Sequence, residues 1–523
     1  MTADDRLTRY LNDQAGAITL APSDPREVVR RGARRRTHRR VAVVACAATL
    51  GVVATTVAVD QGDGGAPLAS GIAAAITPTS FDWTAVTPQS GLGYGQRSAL
   101  LADGSLYSLS TAPGAAGTDS TFEPHLYRTA DGTEWTEVSL PDGVKPSSLA
   151  ASGSTLYALG TAPTAGGGRD FVLSASTDGA ASWSQVALAD EVEALDTAFP
   201  DEIVISSPVV AAGDGGQVAA AVVVTAQPDL ERLVPDFDPE AHWAEWDTES
   251  VTILTQKRCE GDVCSDRPLP STTSAEPPAA DAGAQRAGGE GPGEEPEVVA
   301  TYTWDELGLE PELRDLLTGR PYVYASDGTA AATAVALPAG TSGTSADLLA
   351  TPEGFQLFLT EDGEPGSGPT TAVLSSPDGR TWTAGASLTG FVASSGVLGG
   401  RPAAATWSDD GLLVHVQQPD GAWALLDPTQ AVDGDSSVQE VAFGPLGMVA
   451  IVAGDAGPVH VVHSLDGSTL SAVAASDIVG TDAGSVTGLA VTADAVLVRF
   501  AAGPDDDTST PPVQRVLVGT PPG

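Results

Sequence analysis

One phrase recurs down this chain: Asp-Gly, a gap of one to three residues, a Trp and a short apolar run, as in "TADGTEWTEVSLP", "STDGAASWSQVAL" and "SSPDGRTWTAGASL". Six copies fall in register, at Asp131, Asp178, Asp327, Asp378, Asp420 and Asp466, and four of them keep the aromatic as Trp135, Trp183, Trp382 and Trp423. Each residue type has a physical task. The Asp carboxylate accepts backbone N–H groups across the turn, the Gly adopts a positive φ, and the Trp buries its ring on a neighbouring strand. Most neighbouring copies lie about 42 to 51 residues apart, the length of one four-stranded unit of a β-propeller. The step from Asp178 to Asp327 is about 149 residues and requires an insertion of roughly 100.

Within a unit, "SSLAASGSTLYALGTAP" places a Gly-Ser turn between two apolar runs, as an antiparallel hairpin does. The two ends of the repeat region complement each other. "FDWTAVTP", residues 81–88, reads as a last strand without its unit, while "SVTGLAVTADAVLVRFAAG" and "PPVQRVLVGTPP" supply about three strands without a Trp-bearing fourth. Joining them completes a unit and removes exposed sheet edges. The expected fold is therefore all-β: a seven-bladed β-propeller over residues 81–523, closed by pairing of the N-terminal strand with the C-terminal strands. Its Gly and Pro content, 59 and 38 residues, suits a turn-rich β protein.

The phrases "STDGAASW", "TADGTEW" and "SSPDGRTW" resemble the Asp-box of the bacterial neuraminidase repeat, found in sialidase-like β-propellers. Asp178 and Trp183 keep the usual spacing, with Ala180 where that family prefers Gly; the other copies are one residue shorter or lack the Trp. The resemblance implies a propeller whose boxes are structural turns far from any active site. It carries over fold and not chemistry.

Charge divides the chain. The first 40 residues hold about ten of the 25 Lys+Arg, and the remainder carries a net charge of about −48. So acidic a body repels phosphate backbones, which excludes nucleic acid as a partner. Between the blocks lies "VAVVACAATLGVVATTVAV", residues 41–59, an uncharged run long enough to span a bilayer as a helix of roughly 28 Å. Seven arginines between Arg30 and Arg40 precede it. The positive-inside rule then expects a cytoplasmic stub (1–40), a transmembrane helix (41–59), a linker (60–80) and an extracellular body. A cleaved signal peptide is the rival reading. High Ala, Gly and Asp content, with Arg favoured over Lys, suggests an actinobacterium.

The insertion, residues 228–320, breaks the pattern. It carries Trp243, Trp246 and Trp304, which are either ligand contacts or the insertion's own small core. Cys259 and Cys264 are close enough in sequence for a local disulfide in an oxidising compartment. Residues 268–297 lack apolar periodicity and are expected to be disordered. "EPELRDLLTG", with Pro311 near its start and Gly319 past its end, predicts a short helix.

Catalytic signatures are missing. The Arg-Ile-Pro tripeptide that sialidases use toward the substrate carboxylate does not occur, and neither does G-x-S-x-G or H-E-x-x-H. His460 and His463 read as ordinary strand residues, and the acidic stretches at Asp236/Asp238 and Asp505–Asp507 follow no recognised calcium-loop spacing. No metal and no cofactor is expected. The expectation is a non-enzyme: a membrane-anchored binding or scaffold module for an extracytoplasmic protein, peptide or cell-wall glycan. The alternative is a degenerate or unrecognised sialidase-like glycan hydrolase.

Overall fold

The computed structural model describes residues 81–521, apart from 266–296 and shorter segments of which 502–513 is the longest. The stub, the apolar run 41–59, the linker, Asp131 and Asp505–Asp507 lie outside the described residues, as does nearly all of 268–297. The rest is almost wholly β-structure, with only short helices such as Glu191–Ala198 and Ala475–Val479. No helix among the described residues is long and apolar enough to cross a membrane.

Seven four-stranded antiparallel sheets account for most of the chain. The first runs from Arg97 to Val138 and the second from Lys145 to Ala187. The third comprises Ile203–Ala212, Val218–Ala226, Arg320–Ser326 and Thr333–Val335. The fourth spans Ser345 to Thr389, the fifth Phe391 to Leu426 and the sixth Ser436 to Ala474. Burial falls outward through each sheet. Val218–Ala226, a second strand covered on both faces, is buried along nearly its whole length, whereas the fourth strand Thr383–Thr389 is almost entirely exposed. A strand covered on both faces is a continuous apolar run rather than an alternating one, as "VAAAVVVTA" is.

The last sheet closes the architecture. Its order is Ser485–Val491, Val496–Ala501, Gln514–Thr520 and then Asp82–Val86 from the other end of the described chain. Trp83 faces Gly519 across that last pair, and a side chain at 519 would sit 2.7 Å from the Trp83 ring. Phe81, 6% exposed, meets Trp83 edge-on at 5.8 Å and His463 of the sixth sheet at 5.5 Å.

Seven hydrophobic clusters among the described residues fill the seams between these sheets in order. Phe500 and Leu489 of the closing sheet pack with Val449 of the sixth, and Leu497 and Val518 of the closing sheet pack with Leu106 and Trp135 of the first. Sheets that pack only on their two neighbours, with the last packed on the first, make a closed β-propeller.

The Asp-Gly turns bind each sheet to the one before it. Those among the described residues join the third to the fourth strand of their sheets. Asp378 accepts from the backbone N–H of Arg380 at 2.8 Å and Thr381 at 2.9 Å, and Asp466 from Ser468 at 2.8 Å. Asp178 accepts from the Ser182 hydroxyl and backbone and from Ser176, and these bonds hold its carboxyl down at about 2. Gly179, Gly379, Gly421 and Gly467 all have positive φ. Ala180 also does, at 68°, the one non-glycine residue in that region among those described.

The aromatics span the same seams. Trp183 donates to the Ser139 carbonyl of the first sheet at 3.0 Å, and Trp382 packs with Ala219 and Ala221 of the third. Trp423 stands edge-on to Phe358 of the fourth at 6.0 Å. Asp327 sits just past the third strand of its sheet and Asp420 accepts from Ala422 at 3.0 Å.

Trp382 is 6% exposed, so Trp382→Ala is expected to cost about 3–5 kcal/mol, and Trp423→Ala, on a partly exposed strand, less; urea unfolding of the two variants measures the ordering. Gly519→Val should displace the Trp83 ring and destabilise by about 1–3 kcal/mol. In a Trp83→Ala background that penalty should shrink, and equal penalties in a double-mutant cycle would show that the two residues are not coupled.

Candidate functional site

Neighbouring strands are antiparallel, so turns joining first to second and third to fourth strands share one end of the ring. That end carries the Asp-Gly turns. The second-to-third connections and the crossings between sheets share the other end, and there the third sheet makes its long excursion between Ala226 and Arg320. The described Asp and Trp residues of the repeat are thus spread around the ring, at most one turn per sheet, and converge on no common site.

The excursion folds as a small layer on the second and third sheets. His242–Trp246, Ser250–Thr255 and Glu297–Thr303 form a three-stranded sheet, and Arg258–Glu260 pairs with Val263–Ser265 as a separate hairpin. The three tryptophans do not form a joint contact surface. Trp304 is 0% exposed in the core shared with Leu313, Leu316 and Val222, which corrects its reading as a ligand contact: a ring with no free surface is core. Trp246 is half-buried against the same cluster. Trp243 lies on the edge strand, and its side chain is outside the described residues. Cys259 and Cys264 are direct cross-strand partners, with side chains likewise outside them.

Local chemistry explains how the chain returns to the ring. Thr303 caps the helix Trp304–Leu307 in a reciprocal box with Glu306, and Gly308 ends it in the left-handed conformation. Pro311 then starts a second turn of helix, Pro311–Arg314, shorter than the segment expected from sequence. Arg314 donates to Asp305 at 2.7 Å, tying the two turns together. Gly319, at φ +79°, brings the backbone so close to the crossing between the third and fourth sheets that a Cβ there would lie 2.0 Å from the Gly343 carbonyl oxygen.

That approach leaves an open cleft of about 540 Å³ between the end of the excursion and the crossing. Asp315, Arg320, Thr341 and Ser342 are the polar residues of its lining, and Pro321, Leu337 and Pro338 the apolar ones. Arg320 and Asp315 are a loose ion pair at 3.9 Å, both more than half exposed and so available to a ligand. Ser342 donates to Glu361 at 2.5 Å, and Thr341 to the Pro338 carbonyl at 2.7 Å. The lining offers a cation, a carboxylate and hydroxyls beside apolar side chains, which suits a polyhydroxylated ligand with alternating polar and C–H faces. Sequence reasoning missed these residues because each is an ordinary polar loop residue until Gly319 and Gly343 meet.

The dispersed arginines stay apart. Arg128 donates to Ser105, Arg232 pairs with Glu202, and Arg401 reaches the Asp466 carbonyl at 2.7 Å. His463 is buried and bonded to the Leu446 carbonyl, and burial holds its pKa down. Asp238 donates its backbone N–H to His242 at 3.1 Å. Among the described residues no group of three His, Cys, Asp or Glu side chains is placed to hold a metal ion.

No family model matches the chain, and neither does any curated protein. Solved structures do. One is a Trypanosoma rangeli sialidase in complex with sialic acid, at 12% identity and TM-score 0.30, covering 81% of this chain and 60% of the sialidase. Another is the GH93 α-L-arabinofuranosidase of Fusarium graminearum with arabinobiose, at 10% identity and TM-score 0.32, covering 84% and 97%. A third is a sucrose-6-phosphate hydrolase from Lactobacillus gasseri, at 9% identity and TM-score 0.34, covering 86% and 94%. These structures are all enzymes, where the sequence had led to the expectation of a non-enzyme. At such identities and scores they assign no chemistry to particular residues here.

Proposed function

We propose that the chain is a membrane-tethered, extracytoplasmic, seven-bladed β-propeller that engages a carbohydrate in the cleft beside its third-sheet excursion. The observation that carries the reading is the cleft's lining, which combines Arg320, Asp315, Thr341 and Ser342 with Pro321, Leu337 and Pro338. The seven seams support the blade count. The hydrogen-bonded Asp-Gly turns support an Asp-box kinship. The arginine-rich stub before the apolar run 41–59 supports the anchor and its orientation.

A hydrolytic role for the same face is the second reading, favoured by Asp315 in the cleft's lining and by Glu361, which accepts from the lining residue Ser342. One experiment separates the two. The full-length chain in detergent is titrated calorimetrically with a panel of neutral and acidic oligosaccharides, and the same mixtures are assayed for released reducing sugar. Saturable binding that Arg320→Ala weakens about tenfold or more supports recognition, because a bond to a charged group contributes roughly 1.5–3 kcal/mol. Sugar release lost in Glu361→Gln would move the assignment to hydrolysis. Binding that neither Arg320→Ala nor Ser342→Ala alters would place the ligand elsewhere.

We further propose that Cys259 and Cys264 are joined in the exported protein. Direct antiparallel partners have Cα separations of about 4.5–5.5 Å, inside the range a disulfide spans. The intact mass after alkylation without reductant should show both thiols blocked to the reagent. Uptake of label at both cysteines would exclude the bond.

A further inference from the structure

We propose that the strand Glu297–Thr303 is a docking edge, to which an extended, basic polypeptide segment adds as a fourth strand of the excursion's sheet. The proposal is independent of the ligand the cleft takes. That sheet is ordered His242–Trp246, Ser250–Thr255, Glu297–Thr303, so its last strand pairs on one side only among the described residues. The other row of backbone N–H and C=O groups is a template for a further strand.

The ring protects its own outer edges. Most of its fourth strands are three or four residues long, as Thr136–Val138, Ser184–Ala187 and Trp423–Leu426 are. Thr383–Thr389 is longer, but its one leucine, Leu388, is 3% exposed. Glu297–Thr303 has seven residues, "EVVATYT", with neither Lys nor Pro to discourage pairing. It also carries Val298 at 57% exposure and Val299 at 52%, two of the three large hydrophobic side chains exposed among the described residues.

A shift in register explains why two neighbouring valines are both exposed. Leu254 pairs with Val298 and Ile253 with Ala300, so Val299 is an extra residue and the strand loses its alternation there. Beyond the bulge the alternation returns. Tyr302 packs on the cluster around Trp304, while Thr301 meets Thr252 at 3.3 Å on the opposite face. The core keeps its contacts, and an apolar pair is left beside the open backbone.

Charge selects the occupant. Residues 242–255 and 297–319 contain no Lys and one Arg, Arg314, which already donates to Asp305 at 2.7 Å. Past the C-terminal end of the strand, Glu249, Asp305, Glu306, Glu310 and Glu312 are all exposed. The Trp304 N–H donates to the Glu249 carbonyl at 3.1 Å, which fixes the first of these beside the others. Valines at one end and acids at the other match a segment with apolar residues at one end and Lys or Arg at the other. A second copy of the chain matches poorly, because each copy carries a net charge of −43.

Fluorescence anisotropy of labelled peptides, titrated with the full-length chain in detergent, tests this. One peptide alternates Val and Thr and ends in an arginine cluster, and a second ends in glutamates instead. A third keeps the arginines but has Pro at alternate positions, which cannot donate to a ladder. The first should bind saturably and the other two about tenfold or more weaker. Val298→Lys with Val299→Lys should weaken the first by about tenfold or more, since an edge lysine opposes both strand addition and a basic partner. Leu425→Lys, at the third exposed apolar side chain and on the fifth sheet, should leave it unchanged. The comparison of peptides needs no variant and stands even if the double variant folds poorly. Equal binding of the three peptides, no saturable binding of the first, or binding that the valine substitutions leave unaltered would overturn the docking edge. Dimerisation of the chain that Val299→Lys abolishes would overturn it too, in favour of a second copy.

Discussion

The pairing of Asp82–Val86 with Gln514–Thr520 is the constraint on which the other contacts depend. Each sheet buries its faces only against its two neighbours, so a row of sheets left open would expose an apolar seam at both ends. The closing sheet removes both ends at once: alternate residues of its strands pack on the sixth sheet, as Val498 and Leu517 do, and on the first, as Leu497 and Val518 do. The residues brought together are far apart in sequence, as the Thr520 hydroxyl on the Asp82 carbonyl illustrates with a separation of 438 residues. Loop-closure entropy grows only slowly with length, so the cost is tolerable in stability.

The two ends of the ring divide the work. At one, Asp-Gly turns and their tryptophans reach back to the preceding sheet, and Arg401 clasps the Asp466 turn through its carbonyl. Those groups are consumed in holding the ring. At the other end the connections between strands are free to vary in length without disturbing a seam, and the third sheet uses that freedom for an excursion with its own core around Trp304. The cleft lies where this excursion rejoins the ring, and it depends on Gly319 for a backbone approach no other residue permits.

Near the axis the first strands are linked by single polar side chains rather than by ladders. Ser148 and Ser394 perform this with hydroxyls. A partly buried carboxyl beside Arg499 is unremarkable in the sequence, because nothing in "SSVQEVAFG" says that Gln439 is bulged and that Glu440 turns toward the next sheet.

Periodic, local chemistry was legible in the chain alone. The Asp-Gly turns are determined by residues within a few positions of one another, so their spacing reported the repeating sheet, and the lone strand at "FDWTAV" reported the need for closure. What depends on distant segments meeting was not legible. That Trp304 is core, that Gly319 and Gly343 frame a cleft, and that Glu440 faces Arg499 were decided only when separate sheets packed. Burial and the pairing of charges belong to the assembled ring and not to any stretch of sequence.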